Sequence, residues 1–319
     1  MASQVSILSP LTSELTENAV AFDVSDFGRL RVTGEDAIDL LDRLSTNDLR
    51  LLEVGAGIGT VLTTNKGRII DLLRILRRDN DLMMLTSPGT RQQVADWIEF
   101  YTFAEDIEVE DVTEETSQWL VVGGDSQDAV GRAGYDTNGL DDHLSHWTSS
   151  EDSIVFRSSF GEITAYELIA PVNDGAPLFG LEALGQSDLA RLRVEQGVPA
   201  YPNEMNEDRN PLESLLKPHI SFNKGCYIGQ EVVARLNTYD RVQRFLCQLT
   251  MDNGVVVDAG SGVVVDGNQV GEVTTSAPGL ALAYLRKRFY EDGLRVEVHS
   301  GDGVVNAAVR DIRPPKYND

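Results

Sequence analysis

The sequence predicts an α+β protein in which a body at residues 1–240 is followed by a C-terminal antiparallel β-barrel at residues 241–319. The body mixes stretches of strand-like alternation with stretches of helical hydrophobic period. After Arg241 the chain consists instead of short valine-rich runs separated by Gly, Asp and Asn, a spacing typical of a small barrel or sandwich. No repeat that would indicate a solenoid is present, and 319 residues suffice for two or three packed units.

The first part of the body predicts a strand pair, a helix and a turn. Residues 21–34 alternate apolar and polar side chains, which predicts two paired strands with a turn near residues 26–28. Thr33 with Asp36 three residues later resembles a capping box, so we expect a helix to begin there. Residues 55–75 predict a glycine-punctuated turn region that leads into a strand.

The rest of the body predicts further alternation of strands and helices. Thr90 is placed to cap an amphipathic helix, TRQQVADWIEFY. Two strand–helix units are expected through residues 119–122 and 153–168. A third clear helix, residues 187–195, is expected to end at Gly197 with the glycine typical of helix C-termini.

The charge balance is strongly acidic. The chain has 51 acidic and 27 basic residues, a net charge of -24 and a pI near 4.4. Such a surface repels phosphate backbones and anionic lipid, so we expect neither nucleic acid nor membrane as a partner. The acidic residues are dispersed and lysine is scarce, which favours a protein adapted to a salt-loaded cytoplasm.

The cysteines and the N-terminus predict a soluble cytoplasmic protein. Cys226 and Cys247 form no CxxC pair, which fits a reducing compartment and excludes a four-thiolate site. The N-terminus lacks the basic start and apolar core of a signal peptide. No apolar run is long enough to span a bilayer.

Five stretches of the chain resemble one family, in that family's order. They are AFDVSDFGRLRVTGEDAIDLLDRLSTNDL at residues 21–49, TTNKGRIID at 63–71, RSSFGEITAYEL at 157–168, RVEQGVPAY at 193–201 and KGCYIGQEVVAR at 224–235. Together they resemble the YgfZ/GcvT folate-binding family, to which glycine-cleavage aminomethyltransferases also belong. The octapeptide KGCYIGQE is the specific one, and it is the mark of the YgfZ branch.

The resemblance implies a GcvT-like cloverleaf, with two interleaved lobes in the body and the barrel as the third, around a channel that holds tetrahydrofolate. In the aminomethyltransferases this folate accepts a one-carbon unit from an aminomethyl-lipoyl carrier protein. Members of the YgfZ branch support the assembly or repair of iron–sulfur enzymes through folate and the motif cysteine. The implied partners are therefore folate and client iron–sulfur enzymes or their assembly proteins.

Two carboxylates are candidates for handling the folate. One carboxylate accepts adjacent N–H donors of a pterin in a fork, and the resemblance assigns this role to Glu195 rather than that of a solvated helix-terminal glutamate. Asp71 aligns with the second aspartate of the aminomethyltransferase turn, which orients the reacting folate nitrogen, while Ile70 replaces the first. A carboxylate there stabilises a developing cation or shuttles a proton, and the alternative is a structural aspartate at a strand entry.

Cys226 is the candidate nucleophile. Gly225 and Gly229 are expected to let backbone approach closely, and the charge of Lys224 is expected to favour the thiolate. A thiolate there could attack a one-carbon unit, ligate iron transiently or relay a redox event. The alternative is an inert cysteine, as we expect for Cys247 in the apolar strand FLCQL.

Further cofactor-binding candidates come from the same motifs, and Lys224 is one of them. Phe160 and Tyr227 are expected to line the channel, because aromatic faces suit flat heterocycles, or else to pack in the core. Arg235 is expected either to reach the folate glutamate tail or to form an ion pair with Glu231. His143 and His146, in DDHLSHW, lack a third ligand at a recognisable spacing, so we predict a surface loop and no metal site.

Three functions remain open from the sequence. The first is a YgfZ-like folate-dependent factor for iron–sulfur enzymes that uses Cys226. The second is an aminomethyltransferase of glycine cleavage, favoured by Asp71 and disfavoured by KGCYIGQE. The third is a non-catalytic folate-binding scaffold, in which Glu195 matters and Cys226 does not.

Overall fold

The computed structural model describes residues 10–149, 153–172, 180–301 and 303–314, which contain six α-helices and seventeen β-strands. The helices are α1 (Pro10–Glu14), α2 (Ala37–Leu44), α3 (Arg91–Phe100), α4 (Ser126–Arg132), α5 (Gln186–Gln196) and α6 (Gln230–Thr238). The strands are β1 (Ala19–Asp23), β2 (Gly28–Thr33), β3 (Gly57–Thr63), β4 (Ile69–Arg77), β5 (Leu82–Thr86), β6 (Glu108–Asp111), β7 (Thr116–Gly123), β8 (His146–Thr148), β9 (Ile154–Phe160), β10 (Ile163–Pro171), β11 (Ala183–Leu184), β12 (Arg244–Met251), β13 (Gly262–Val265), β14 (Asn268–Ala277), β15 (Leu280–Arg286), β16 (Arg295–Ser300) and β17 (Gly303–Arg310). Among the described residues, no helix is long and apolar enough to cross a membrane.

The body contains two sheets packed against each other. A five-stranded sheet has the order β3-β4-β5-β2-β6, and α2 and α3 cover its outer face through Leu41 and Val94. A six-stranded sheet has the order β11-β1-β7-β10-β9-β8, and α4 covers its outer face through Val130. The inner faces of both sheets meet in an apolar cluster that includes Leu76 and Phe156.

The chain runs from one sheet to the other and back. Strand β1 belongs to the six-stranded sheet, β2 to β6 to the five-stranded sheet, and β7 to β11 return to the first. The predicted pairing of the strands within residues 21–34 is therefore wrong, because β1 pairs with β7 and β11 while β2 pairs with β5 and β6. Alternation identifies each strand and its buried face, but it does not identify the partner strand.

Two other local predictions are corrected by the structure. Thr33 is the last residue of β2, and Asp36 stands at the N-cap position of α2 without capping it. The Asp36 carboxylate instead accepts a hydrogen bond from the amide of Asp106, at 2.8 Å. Residues 153–168 form the antiparallel hairpin β9–β10 rather than a strand and a helix.

The C-terminal strands form a closed antiparallel barrel in the order β12-β15-β14-β13-β16-β17, and β17 pairs with β12 to close it. Its core is made of small aliphatic side chains together with Cys247, which is fully buried. The prediction that Cys247 is a core residue is confirmed, and burial raises the pKa of its thiol.

A buried ion pair fastens the barrel to the body. Helix α5 ends at Gly197, in the left-handed region with φ 68°, as predicted. In its last turn, Arg193 donates to the carboxylate of Glu204 at 2.6 Å, and Glu204 is 0% exposed. The hydroxyls of Thr274 and Thr275 in β14 donate to the other oxygen of Glu204, each at 2.6 Å. These bonds compensate the buried charges and fix α5 on the barrel.

Candidate functional site

Lys224 anchors the KGCYIGQE loop to the end of helix α2. Its side chain is 1% exposed, and its ammonium forms an ion pair with Asp42 at 2.9 Å. It also donates to the backbone carbonyls of Ser45 at 3.1 Å and Asn47 at 2.6 Å. A cation suits this place because the last carbonyls of a helix lack partners and carry the negative end of the dipole. The charge of Lys224 is therefore directed at α2 and not, as we expected, at the thiol of Cys226.

The other end of the loop rests on the turn between β3 and β4. The hydroxyl of Thr63 donates to the carbonyl of Ile228 at 2.6 Å. Gly229 has φ +85°, and a Cβ there would lie 2.6 Å from the carbonyl oxygen of Thr64. A Cβ at Gly225, by contrast, would have no atom of the described residues within 4 Å. The expected close approach of backbone is confirmed at Gly229 and is wrong at Gly225.

Cys226 lies between these two anchors with its side chain exposed to solvent. Its neighbour Tyr227 is 7% exposed, and its buried hydroxyl has no hydrogen-bond partner among the residues that the structure describes. The Lys224 ammonium lies 5.6 Å from the centre of the Tyr227 ring, and burial raises the pKa of the phenol. The loop thus presents an accessible thiol next to a buried, unsatisfied hydroxyl.

Glu195 lies in the last turn of α5, where α1 crosses it. Thr12 of α1 donates to Glu195 Oε2 at 2.6 Å, and Arg191 Nε donates to Oε1 at 2.8 Å. The carboxylate is only 4% exposed, so Glu195 is not a solvated helix-terminal residue. Phe160, at the end of β9, packs in the apolar cluster that contains Leu192 of the same helix. The structure thus brings Glu195 and Phe160 to neighbouring positions around α5.

Asp71 faces away from the centre of the molecule. Its carboxylate is 0% exposed and accepts bonds from the Ser87 amide at 2.9 Å and the Thr90 hydroxyl at 2.6 Å, both at the start of α3. Burial raises the pKa of Asp71, although these hydrogen bonds act to lower it. Asp71 and Leu73 lie on the face of β4 that α2 and α3 cover, whereas the side chain of Leu72 lies on the opposite, inward face. This placement favours the structural interpretation of Asp71 over the catalytic one.

A polar cluster between the two sheets was missed by the sequence reasoning. Arg74 of β4 forms an ion pair with Glu167 of β10, and Gln118 of β7 donates to Glu167 at 2.7 Å. Nearby, the His219 imidazole lies against Gly59, where a Cβ would be 2.3 Å from Nδ1. The available signal was a charged residue in the middle of a largely apolar strand, as Arg74 is in IIDLLRILR.

The remaining candidates lie outside these contacts. Arg235 of α6 is exposed, and within the described residues it forms no ion pair with Glu231. His143 is exposed in a turn, as predicted, whereas His146 is buried in β8 and is not part of a surface loop. In the ranges that the structure describes, no three His, Cys, Asp or Glu side chains are grouped as metal ligands.

Comparisons with known proteins place these features in a family. An Arabidopsis thaliana protein named as a chloroplastic transferase is 31% identical to this chain. The match covers 88% of this chain and 68% of that protein. The Thermotoga neapolitana aminomethyltransferase is 26% identical, over 93% of this chain and 85% of its own. The glycine cleavage system aminomethyltransferase T of Bartonella henselae superposes with a TM-score of 0.86 at 20% identity, over 94% of this chain and 87% of that one, which confirms the predicted fold.

The family model described as the GCVT N-terminal domain matches residues 12–224, which include the end of α1, both sheets, α5 and Lys224. Because this match covers more than half of the chain and agrees with the relatives and the fold, the chain belongs to the GCVT N-terminal domain family.

Proposed function

We propose that this protein is a cytoplasmic, YgfZ-like factor that binds a reduced folate and supports the assembly or repair of iron–sulfur enzymes through Cys226. The observation that carries the proposal is the form of the KGCYIGQE loop. Lys224 and Gly229 hold the loop at both ends, and Cys226 between them is exposed. A thiol held in place and open to solvent is suited to nucleophilic attack, transient iron ligation or redox exchange with a partner.

The residues fit a tetrahydrofolate. Each oxygen of the Glu195 carboxylate accepts one hydrogen bond from Thr12 or Arg191, and a carboxylate oxygen has room for a second, so pterin N–H donors can be accepted. Phe160 supplies an aromatic face near α5, and the Tyr227 hydroxyl is a buried polar atom without a partner. When bound, a reduced folate would supply one-carbon chemistry. The protein would hold it with Glu195 and orient it against apolar walls.

Aminomethyl transfer is the second candidate, and the similarity to aminomethyltransferases along most of the chain favours it. It requires a carboxylate that faces the reacting folate nitrogen. In β4 the inward side chain is Leu72, while Asp71 is enclosed by Ser87 and Thr90. This geometry supports the first proposal over the second.

A deletion strain complemented with single variants tests the role of Cys226. Cys226→Ser preserves size and hydrogen bonding but removes most of the nucleophilicity and metal affinity, so it should fold, bind folate and fail to restore iron–sulfur enzyme activity. In the purified protein, Cys226 should also react with iodoacetamide while Cys247, enclosed in the barrel core, stays unmodified.

Cys247→Ser is the matched control, although it introduces a hydroxyl into an apolar core, so Cys247→Ala should be compared with it. Activity should return with Cys247→Ala. Full rescue by Cys226→Ser would contradict the chemical role and favour a folate-binding scaffold. Loss of glycine cleavage rather than of iron–sulfur enzyme activity in the deletion strain would favour the aminomethyltransferase.

A further inference from the structure

A cleft opens on the outer face of the six-stranded sheet, beside α4. Its volume is about 300 Å³, and its walls include Ser126 of α4, Leu140 and Asp141 of the following segment, and Arg157 and Tyr166 of β9 and β10. Arg157 and Tyr166 are directly opposite each other in the β9–β10 register, so their side chains leave the sheet on the same face.

This cleft is separate from the site described above. Side chains alternate along β10, so Tyr166 packs on the α4 side with Leu168, while Glu167 points to the opposite face and meets Arg74. A ligand in the cleft would therefore lie across the sheet from the Arg74–Glu167 ion pair.

The cleft holds two opposite charges that do not neutralise each other. Arg157 donates to the backbone carbonyl of Asp141 rather than to its carboxylate. Within the described residues neither Arg157 nor Asp141 forms an ion pair. Both charges nevertheless act on the Tyr166 hydroxyl, which contacts the Arg157 guanidinium. Arg157 and Asp141, which carry opposite charges, thus line one cleft, and each side chain has bonding capacity to spare.

A buried hydroxyl at the cleft is also unsatisfied. Ser126 is 0% exposed and lines the cleft, and in the described part of the chain its Oγ has no hydrogen-bond partner. Buried polar atoms are rarely left without a partner, because the missing bond costs free energy. The unpaired hydroxyl is independent of the two charges and is a further polar group in the wall of the cleft.

We propose that this cleft binds a small zwitterion, a free α-amino acid. Its carboxylate pairs with the Arg157 guanidinium and accepts from Ser126, and its ammonium pairs with the Asp141 carboxylate. A simple anion would leave Asp141 facing it, and a simple cation would meet Arg157. Only a ligand that carries both signs satisfies both walls. The site adds an amino-acid-binding function that does not depend on folate or on Cys226.

Binding by the full-length protein should be measured by saturation-transfer NMR and calorimetry with each of the twenty amino acids, and with acetate and methylammonium as single-charge probes. At least one amino acid should bind roughly tenfold or more tightly than either single-charge probe, because each removes one charge-assisted contact. Asp141→Asn should reduce amino-acid affinity by roughly tenfold, whereas acetate, which no longer faces a like charge, should bind no more weakly than to wild type. Asp141 is exposed, so this variant does not threaten folding.

Arg157→Gln should abolish binding of both the amino acid and acetate, and circular dichroism should show that it remains folded. Asp128→Asn is the matched control, since Asp128 is an exposed carboxylate of α4 outside the cleft. Absence of binding by all twenty amino acids would overturn the proposal. So would equal affinity for acetate and the best amino acid, or an Asp141→Asn variant that binds like the Asp128→Asn control.

Discussion

Single buried polar groups in this chain are oriented by donors that come from distant segments. Glu195 illustrates this, since Thr12 lies 183 positions away in sequence and yet binds one of its two oxygens. The two donors fix the carboxylate in one orientation before any ligand arrives, and such preorganisation reduces the entropy cost of binding.

The proposed pterin anchor leads to a binding prediction. Glu195→Gln replaces an acceptor-only group by an amide, so pterin donors would face an NH₂ group or stay unpaired. We expect reduced-folate binding to weaken by about 2–3 kcal/mol, as for a lost charge-assisted hydrogen bond. Calorimetry in molar KCl measures this, with Glu162→Gln, an exposed glutamate on the neighbouring turn, as control. Equal affinities of the two variants would remove Glu195 from the site.

His219 leads to a prediction about pH. Burial lowers the pKa of His219 from 6.5 to about 4. Below pH 6.5 the unfolded chain takes up a proton that the folded chain accepts only near pH 4, so His219 lowers stability as the pH falls through this window. The melting temperature of His219→Gln should therefore fall less than that of wild type between pH 6.5 and 4.

The exposed His299 provides the control for this measurement. His299→Gln makes the same substitution at the surface, and the many carboxylates that titrate in this window are common to all three proteins. If the difference in melting temperature between wild type and His219→Gln stayed the same from pH 6.5 to 4, the His219 imidazole would not titrate as expected.

At the scale of elements, two neighbouring segments hold the KGCYIGQE loop: the end of α2 and the turn between β3 and β4. Lys224 donates to three backbone carbonyls at the end of α2. Gly229 packs directly against the backbone of the turn between β3 and β4. The loop therefore has little freedom at its ends, although the backbone at Gly225 lies in open space.

The two loop glycines provide a matched pair of substitutions. Gly229→Ala places a Cβ 2.6 Å from the Thr64 carbonyl oxygen at φ +85°, so we expect a loss of about 1–3 kcal/mol in unfolding free energy. Gly225→Ala meets no atom and should change stability by less than about 0.5 kcal/mol. Urea unfolding followed by circular dichroism compares them. Equal losses at both positions would contradict this account of the loop.

For the whole molecule, the net charge of -24 sets the response to salt. Repulsion among dispersed carboxylates is screened as ionic strength rises. The melting temperature should therefore rise from low to molar KCl, with most of the gain at low concentration, where the Debye length changes most. Sucrose is the uncharged control for excluded-solute effects. A melting temperature that falls steadily with KCl would contradict the prediction.

The sequence by itself determined those features that depend on neighbours along the chain. The spacing of valine-rich runs predicted the barrel, the apolar context of FLCQL placed Cys247 in its core, and Gly197 marked the end of α5. These are local properties, since hydrophobic period, turn chemistry and left-handed backbone are each written within a few residues.

The tertiary structure decided which partners the elements and side chains meet. The register between β3 and β4 shifts at Ile70, and beyond this shift Asp71 lies under α3 while Leu72 faces the centre. The tertiary structure also directs Lys224 toward α2, and it pairs Arg74 with Glu167, which lies 93 positions away in sequence. Periodicity states that one face of a strand is buried, but the face and the partner depend on contacts distant in sequence, because a shift of one residue exchanges the two faces.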